Sequence, residues 1–138
     1  MEKVEQEIYL KNFLQVRLVS DFNKSKMYYQ NILGFSVDGW GHAERGNNLG
    51  FILQQAKHPG DVRPNAKPDN IQWEGKNSGW DSYFYSNFEG VGKLYEEFKS
   101  KGAIIAYGPK IETMGNGQWK EFAVKDLDGY VMVFGGSD

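Results

Sequence analysis

Residues 20–35 read SDFNKSKMYYQNILGF and residues 86–103 read SNFEGVGKLYEEFKSKGA, and the second stretch is a variant of the first. Ser20 matches Ser86, Phe22 matches Phe88 and Tyr29 matches Tyr95 at an offset of 66, which becomes 68 at Gly34 and Gly102. Each stretch predicts an amphipathic helix ended by a glycine. In the first, Asp21 and Asn23 are available as caps, and Tyr28, Tyr29, Ile32 and Leu33 form an i, i+1, i+4, i+5 stripe. In the second, Val91, Leu94, Tyr95 and Phe98 fall at i, i+3, i+4, i+7. A unit that recurs at this spacing is too small to bury its own sheet face, so the two copies must pack together or swap between chains.

Strands flank both helices. Residues 13–19 (FLQVRLV) alternate, and Leu14, Val16 and Leu18 form the apolar, inward set against Gln15, Arg17 and Val19. Residues 35–40 (FSVDGW) and 48–55 (NLGFILQQ) read as strands joined by the turn-rich GHAERGN. Around the second helix, residues 80–88 (WDSYFYSNF), 103–106, 119–124 and 130–134 read as strands, the last two joined by the turn KDLDG. Residues 57–79 hold three of the four prolines and no apolar period, and therefore read as a connector. The organisation is α+β: a first module over residues 10–56, a connector over 57–79 and a second module over 80–136.

Composition narrows the function. A length of 138 residues suits one domain with a real core. A net charge of −2 offers no electrostatic footprint for nucleic acid or anionic lipid. The absence of cysteine removes disulfides, thiolate nucleophiles, iron–sulfur clusters and zinc–thiolate sites. The start, MEKVEQEIYL, lacks a basic and apolar leader pattern, and no stretch approaches a membrane span, so a cytoplasmic protein is expected. The chain has no phosphate-binding or nucleophile-elbow motif, and Gly115-Asn116-Gly117 reads as a turn. What is unusual is four Trp, eight Tyr and nine Phe among 138 residues, with 17 glycines, which points to a strand-rich domain with aromatic walls.

On VSDFNKSKMYYQNILGF, with Asp21, Tyr29, Leu33 and Gly34, on LYEEFKSKGA and on QWKEFAVKDLDGY, the sequence resembles the vicinal oxygen chelate superfamily of glyoxalases, extradiol dioxygenases and bleomycin-resistance proteins. The usual Asp-Pro-Asp-Gly turn stands here as Asp126, Leu127, Asp128 and Gly129. The resemblance implies a pair of βαβββ modules whose curved mixed sheets form a cleft. It also implies a metal position in that cleft, and carrying the ligand positions over one at a time gives Leu14, Gln54, Tyr83 and Val133. Leucine and valine cannot coordinate a metal; a one-residue shift would bring Gln15 inward in place of Leu14 but turn Leu14, Val16 and Leu18 outward, and Val133 would remain in any case. The expectation is therefore no metal and no cofactor, and a branch similar to the bleomycin-resistance proteins, which sequester a ligand in an aromatic cleft at a dimer interface.

The expected ligand-binding set is Leu14, Gln54, Trp80, Tyr83, Tyr85, Trp119 and Val133, with a small aromatic or apolar molecule as partner and a homodimer as the assembly. The aromatics of this set suit core or interface packing equally well. Trp40 and Trp73 suit a lid or an interface. His42 and His58 read as solvated loop imidazoles, and Glu121 as a surface charge on a strand. The alternative reading is a metal-dependent glyoxalase-like lyase or dioxygenase using Gln54, His42, His58 and Glu121; a third is an interaction module without a pocket.

Overall fold

A computed structural model describes residues 8–65 and 79–138, so Trp73 lies outside the described residues. The repeat appears as the same topology twice. The first unit comprises β1 (Gln15–Val19), α1 (Phe22–Met27), which widens into a π turn over Tyr28–Ile32, β2 (Ser36–Val37), β3 (His42–Glu44) and β4 (Gly50–Gln55). The second comprises β5 (Ser82–Asn87), α2 (Phe88–Ser100), β6 (Ile104–Met114), β7 (Gly117–Lys125) and β8 (Val131–Ser137). The sheet orders are β1-β4-β3-β2 and β5-β8-β7-β6, with the outer pairs β1–β4 and β5–β8 parallel and the remaining pairs antiparallel. This is the α+β, twice-βαβββ architecture expected from the sequence.

The caps follow the chemistry. The Asp21 side chain accepts the Lys24 amide at 3.0 Å, and the Asn87 side chain accepts that of Gly90 at 2.6 Å. Gly34 and Gly102 end the helices with φ of +74° and +88°, a left-handed conformation that β-carbon-bearing residues resist.

Two local expectations are corrected. His42 does not lie in a loop: residues 42–44 form β3, which pairs with β4 from His42↔Ile52 to Glu44↔Gly50. The run HAE is too short and polar to carry a strand signal, and its pairing is a tertiary effect. On β1 the parity is the reverse of that expected. Arg17 and Val19 are buried, whereas Val16 is 54% exposed and Leu14 and Leu18 are half-buried.

The reason is the partner that Arg17 finds. Its guanidinium lies 4.0 Å from the Phe51 ring centroid and 4.6 Å from that of Tyr130, donates to the Tyr29 hydroxyl at 3.1 Å and to Gln15 Oε1 at 2.9 Å. Tyr29 in turn donates to Asp126 Oδ2 at 2.7 Å, and Asp126 Oδ1 accepts the amides of Asp128 and Tyr130. The turn between β7 and β8 thereby grips the first unit. Tyr130 donates to the Leu18 carbonyl, Tyr28 to the Lys125 carbonyl, and the Ser20 amide to Asp128.

One core joins both sheets. Tyr29 meets Phe35 and Phe51 edge-on at 5.8 Å, Phe51 meets Phe84 at 5.9 Å, and Phe84 stacks on Phe134 at 4.8 Å. Phe98 and Phe122 complete the row from the α2 side. Tyr28, Tyr29 and Phe98, read from their helix stripes, are buried as expected. Arg45 adds a second tie between the units, reaching Glu97 on α2 at 2.7 and 2.9 Å and the Leu33 carbonyl at 2.7 Å.

Burial holds the Asp126 carboxyl above the ordinary aspartate range, while Tyr29 and Arg17 pull the other way. The native state thus binds this proton more tightly than the unfolded chain, so the group's contribution to stability falls as pH rises from about 4 through the native value. Arg17→Met removes the nearest counter-charge. It is expected to lower the unfolding free energy at neutral pH by about 3–5 kcal/mol and to steepen the fall above about pH 4. Urea melts across that range check both; a neutral-pH loss within about 0.5 kcal/mol contradicts the role given to Arg17.

Candidate functional site

In the second sheet the even positions Phe84, Phe122, Val124, Met132 and Phe134 supply the shared core, so the odd positions face the other side. That side carries Tyr83 and Tyr85 on β5, Val131, Val133 and Gly135 on β8, and Trp119, Glu121 and Ala123 on β7. Strand register sets out the rows. Tyr83, Val133, Ala123 and Tyr107 lie across one row, and Tyr85, Gly135, Glu121 and Lys110 across the next.

Five of the seven expected site residues come together here. Trp80 stands edge-on to Tyr83 at 5.1 Å, Tyr83 leans on Tyr85 at 4.9 Å, and Trp119 lies 6.5 Å from Tyr83 and 5.9 Å from Tyr85. Val133, fully buried, forms the floor with Ala123 and Val131, and Trp80 and Tyr83 pack on it. Tyr85 remains 75% exposed, so the wall is open on its outer side. The other two residues lie on the first sheet: Leu14 just before β1, and Gln54 on β4, exposed and opposite Leu18.

The sequence reading missed the polar centre of this wall. Glu121 is no surface charge: it is 7% exposed, and it accepts the Tyr83 hydroxyl at 2.6 Å, the Tyr107 hydroxyl at 2.7 Å and the Trp119 indole N–H at 3.2 Å. The same indole N–H lies 3.1 Å from the Tyr83 oxygen. Burial, then hydrogen bonding to Glu121, pushes the Tyr83 and Tyr107 phenols far above the ordinary tyrosine range, so both hydroxyls stay as donors. The signal available in sequence was parity: Glu121 shares the face of Trp119 rather than that of Phe122. Gly135 was also missed. A β-carbon there would lie 2.5 Å from the Tyr83 hydroxyl and 2.6 Å from the Trp119 ring, so glycine is what lets both side chains lie flat over β8.

Beside the wall, between β1 and β5, runs an apolar groove of about 390 Å³ lined by Phe13, Gln15, Leu49, Phe51, Tyr83 and Tyr85 among others. Gln15, the first residue of β1, borders it and Leu14 does not, following the reversed parity of that strand.

A metal does not fit the positions carried over from the resemblance. Val133 is a buried floor residue without a donor atom, Leu14 has none, the Oε1 of Gln15 that borders the groove in its place accepts from Arg17 at 2.9 Å, and the Tyr83 hydroxyl is held as a donor to Glu121. The other proposed set is dispersed as well: His42 on β3 pairs with Asp38 at 2.9 Å, His58 lies in the connector and Glu121 on β7. Among the described residues no three His, Cys, Asp or Glu side chains gather into a metal-binding group.

Solved structures share this arrangement. A protein from the mobile metagenome of V. Pseudocholerae is 21% identical, with a TM-score of 0.60 over 95% of this chain and 96% of its own. TioX from Micromonospora sp. ML1 is 14% identical, with a TM-score of 0.63 over 91% of this chain and 97% of its own. A protein described as glyoxalase/bleomycin resistance protein/dioxygenase from Alicyclobacillus acidocaldarius is 11% identical, with a TM-score of 0.63 over 91% of this chain and 89% of its own. No family model and no curated protein matches the sequence. The fold is that of the glyoxalase/bleomycin-resistance/dioxygenase proteins. At these identities the likeness concerns the fold and leaves the chemistry to the residues.

The Glu121 network makes a spectroscopic prediction. In a difference titration of the parent against Tyr83→Phe and Tyr107→Phe, these two phenols are expected to remain protonated at about pH 11, where an ordinary tyrosine is mostly ionised. Glu121→Gln should bring both down towards the ordinary range. Normal ionisation of Tyr83 and Tyr107 in the parent would contradict the network.

Proposed function

We propose that this protein binds a small aromatic or apolar molecule without a metal, as the bleomycin-resistance proteins do by the resemblance read above, and that it works by sequestration in the cytoplasm. The observation that carries the reading is the open wall of Trp80, Tyr83, Tyr85 and Trp119 beside an apolar groove. Rigid aromatic rings offer large contact area at low entropic cost, and pairs of rings add about 0.5–1.5 kcal/mol beyond the area they bury. Preorganisation by Glu121 and Gly135 reduces the ordering cost that binding would otherwise carry.

The assembly that suits this role is a homodimer. The described residues leave two faces uncovered: the aromatic wall on the side of Tyr85, and the outer face of β1 and β4 with Leu14, Val16, Leu18 and Gln54. The two units share one core, so these faces cannot cover one another within a chain. A second copy would set the first face against the second and place Leu14 and Gln54 over the wall, reuniting all seven expected residues across a two-fold axis.

Tryptophan-fluorescence titration with planar aromatic compounds, including a flavonoid and a quinone, tests the binding. Trp119→Ala is expected to weaken the best ligand by about tenfold or more, the equivalent of about 1.4 kcal/mol. Affinities unchanged in both Trp119→Ala and Tyr83→Ala would remove the wall from the site. For the assembly, sedimentation should give a dimer in the parent and a monomer in Val16→Glu; a monomeric parent contradicts the homodimer.

A further inference from the structure

The apolar groove between β1 and β5 has a polar end, and two neutral groups there are left without the partners their chemistry asks for. Gln15 and Asp81 line both this groove and a neighbouring polar cleft of about 330 Å³, so they mark the boundary between the two. Ser82, next to Asp81, lines the groove alone.

Arg17 fixes the Gln15 amide. A guanidinium only donates, so the bond of 2.9 Å from Arg17 Nη2 must end on the amide oxygen, and a flipped amide would set donor against donor. Arg17 borders the cleft and not the groove, so the oxygen is drawn to the cleft and the Nε2 amino group is left to the groove. Among the described residues that amino group has no acceptor.

The second group is the Ser82 hydroxyl, which is closed off from solvent and has no hydrogen-bond partner among the described residues. A buried hydroxyl left in this way costs stability, and it is uncommon enough in folded proteins to call for a reason. Its backbone is firmly placed. The Asp81 amide donates to the Val131 carbonyl at 3.0 Å and Asp81 Oδ2 accepts the Val131 amide at 2.8 Å, which pins the start of β5 beside β8. Rotation about χ1 is then the one freedom the hydroxyl oxygen retains. Both groups donate, and a carbonyl oxygen, with two lone pairs, accepts from two donors at once.

We infer that the groove selects ring systems carrying a neutral carbonyl, such as a ketone, a quinone or a ring-bound amide. Phe13, Leu49, Phe51, Tyr83 and Tyr85 receive the rings, while Gln15 Nε2 and Ser82 Oγ, turned about χ1, donate to the carbonyl oxygen. The inference rests on the proposed binding function and narrows its ligand class.

Equilibrium dialysis of the full chain against 2-acetylnaphthalene and 2-ethylnaphthalene, alike in rings and substituent length and different in the carbonyl, tests it. The parent is expected to prefer the ketone about tenfold or more, because the hydrocarbon leaves both donors unmet. Gln15→Met and Ser82→Ala are each expected to lower the ratio of the two affinities about three- to tenfold, as the loss of one hydrogen bond does. Ser82→Ala has a second readout in the free protein: loss of an unpartnered hydroxyl leaves the urea midpoint unchanged or raises it, whereas a lower midpoint shows a hydroxyl with a structural bond and overturns the inference. Gln15→Met also takes an acceptor from Arg17 and can fail to fold, in which case Ser82→Ala decides. An affinity ratio unchanged in Ser82→Ala, or a parent that binds both compounds equally, overturns the carbonyl preference and leaves the aromatic-ligand reading standing. If neither compound binds, the binding reading falls and this inference falls with it.

Discussion

A buried arginine between two rings is the constraint on which the arrangement depends. Arg17 is 2% exposed, sits against Phe51 and Tyr130, and is linked through Tyr29 to Asp126 in the turn between the last two strands. A charged group this deep is tolerable only with charge and hydrogen-bond partners. Those partners come from both units: Gln15 and Tyr29 from the first, Tyr130 and Asp126 from the second. The units therefore dock in one register, because sliding by one residue would strand the guanidinium. The same node explains the reversed parity of β1. Turning Leu14, Val16 and Leu18 inward would bury three aliphatic side chains but direct Arg17 away from Asp126 and break the latch.

Once the units are locked through this core, the remaining faces are committed. Much of the aromatic content goes into the shared core, along the row from Tyr29 through Phe51 and Phe84 to Phe134. Only the odd positions of the second sheet are left to build a wall, and there the rings are held by hydrogen bonds where the core rings are held by packing. Glu121 accepts from two phenols and an indole, and Gly135 leaves the space in which the tyrosine and tryptophan lie. The result is a surface whose aromatic side chains have few rotamers left to lose.

Much of this was legible because it rests on local rules. The repeat, both helix stripes, the Asp21 cap, the glycine stops and the turn at residues 126–129 follow from spacing and propensity, and the structure follows them. Tyr83, Tyr85 and Trp119 were legible as strand residues of one parity, whereas Trp80, of the other parity in sequence, joins them from just before β5. What failed depended on partners far away in sequence. The strand at His42–Glu44 exists because β4 is beside it, and the burial of Arg17 depends on a residue 109 positions further on. Glu121 was misjudged because a lone carboxylate on a strand is usually solvated, and the three side chains that reverse this come from β5, β6 and β7.

The two buried carboxylates make an instructive pair. Asp126 is held by backbone amides, Tyr29 and, through that tyrosine, a guanidinium, and its charge is spent inside the molecule on docking the two units. Glu121 is held by side-chain donors on an outward face, next to a ring that is three-quarters exposed. A fold selected for stability alone would gain little from a carboxyl group there, since an apolar residue packed under Tyr83 and Trp119 would avoid the desolvation cost. Polar groups that oppose stability in this way tend to be kept where they serve recognition. Asp126 thus ties the two units together and Glu121 orders the rings of the outward face, although both are buried acids hydrogen-bonded by tyrosine.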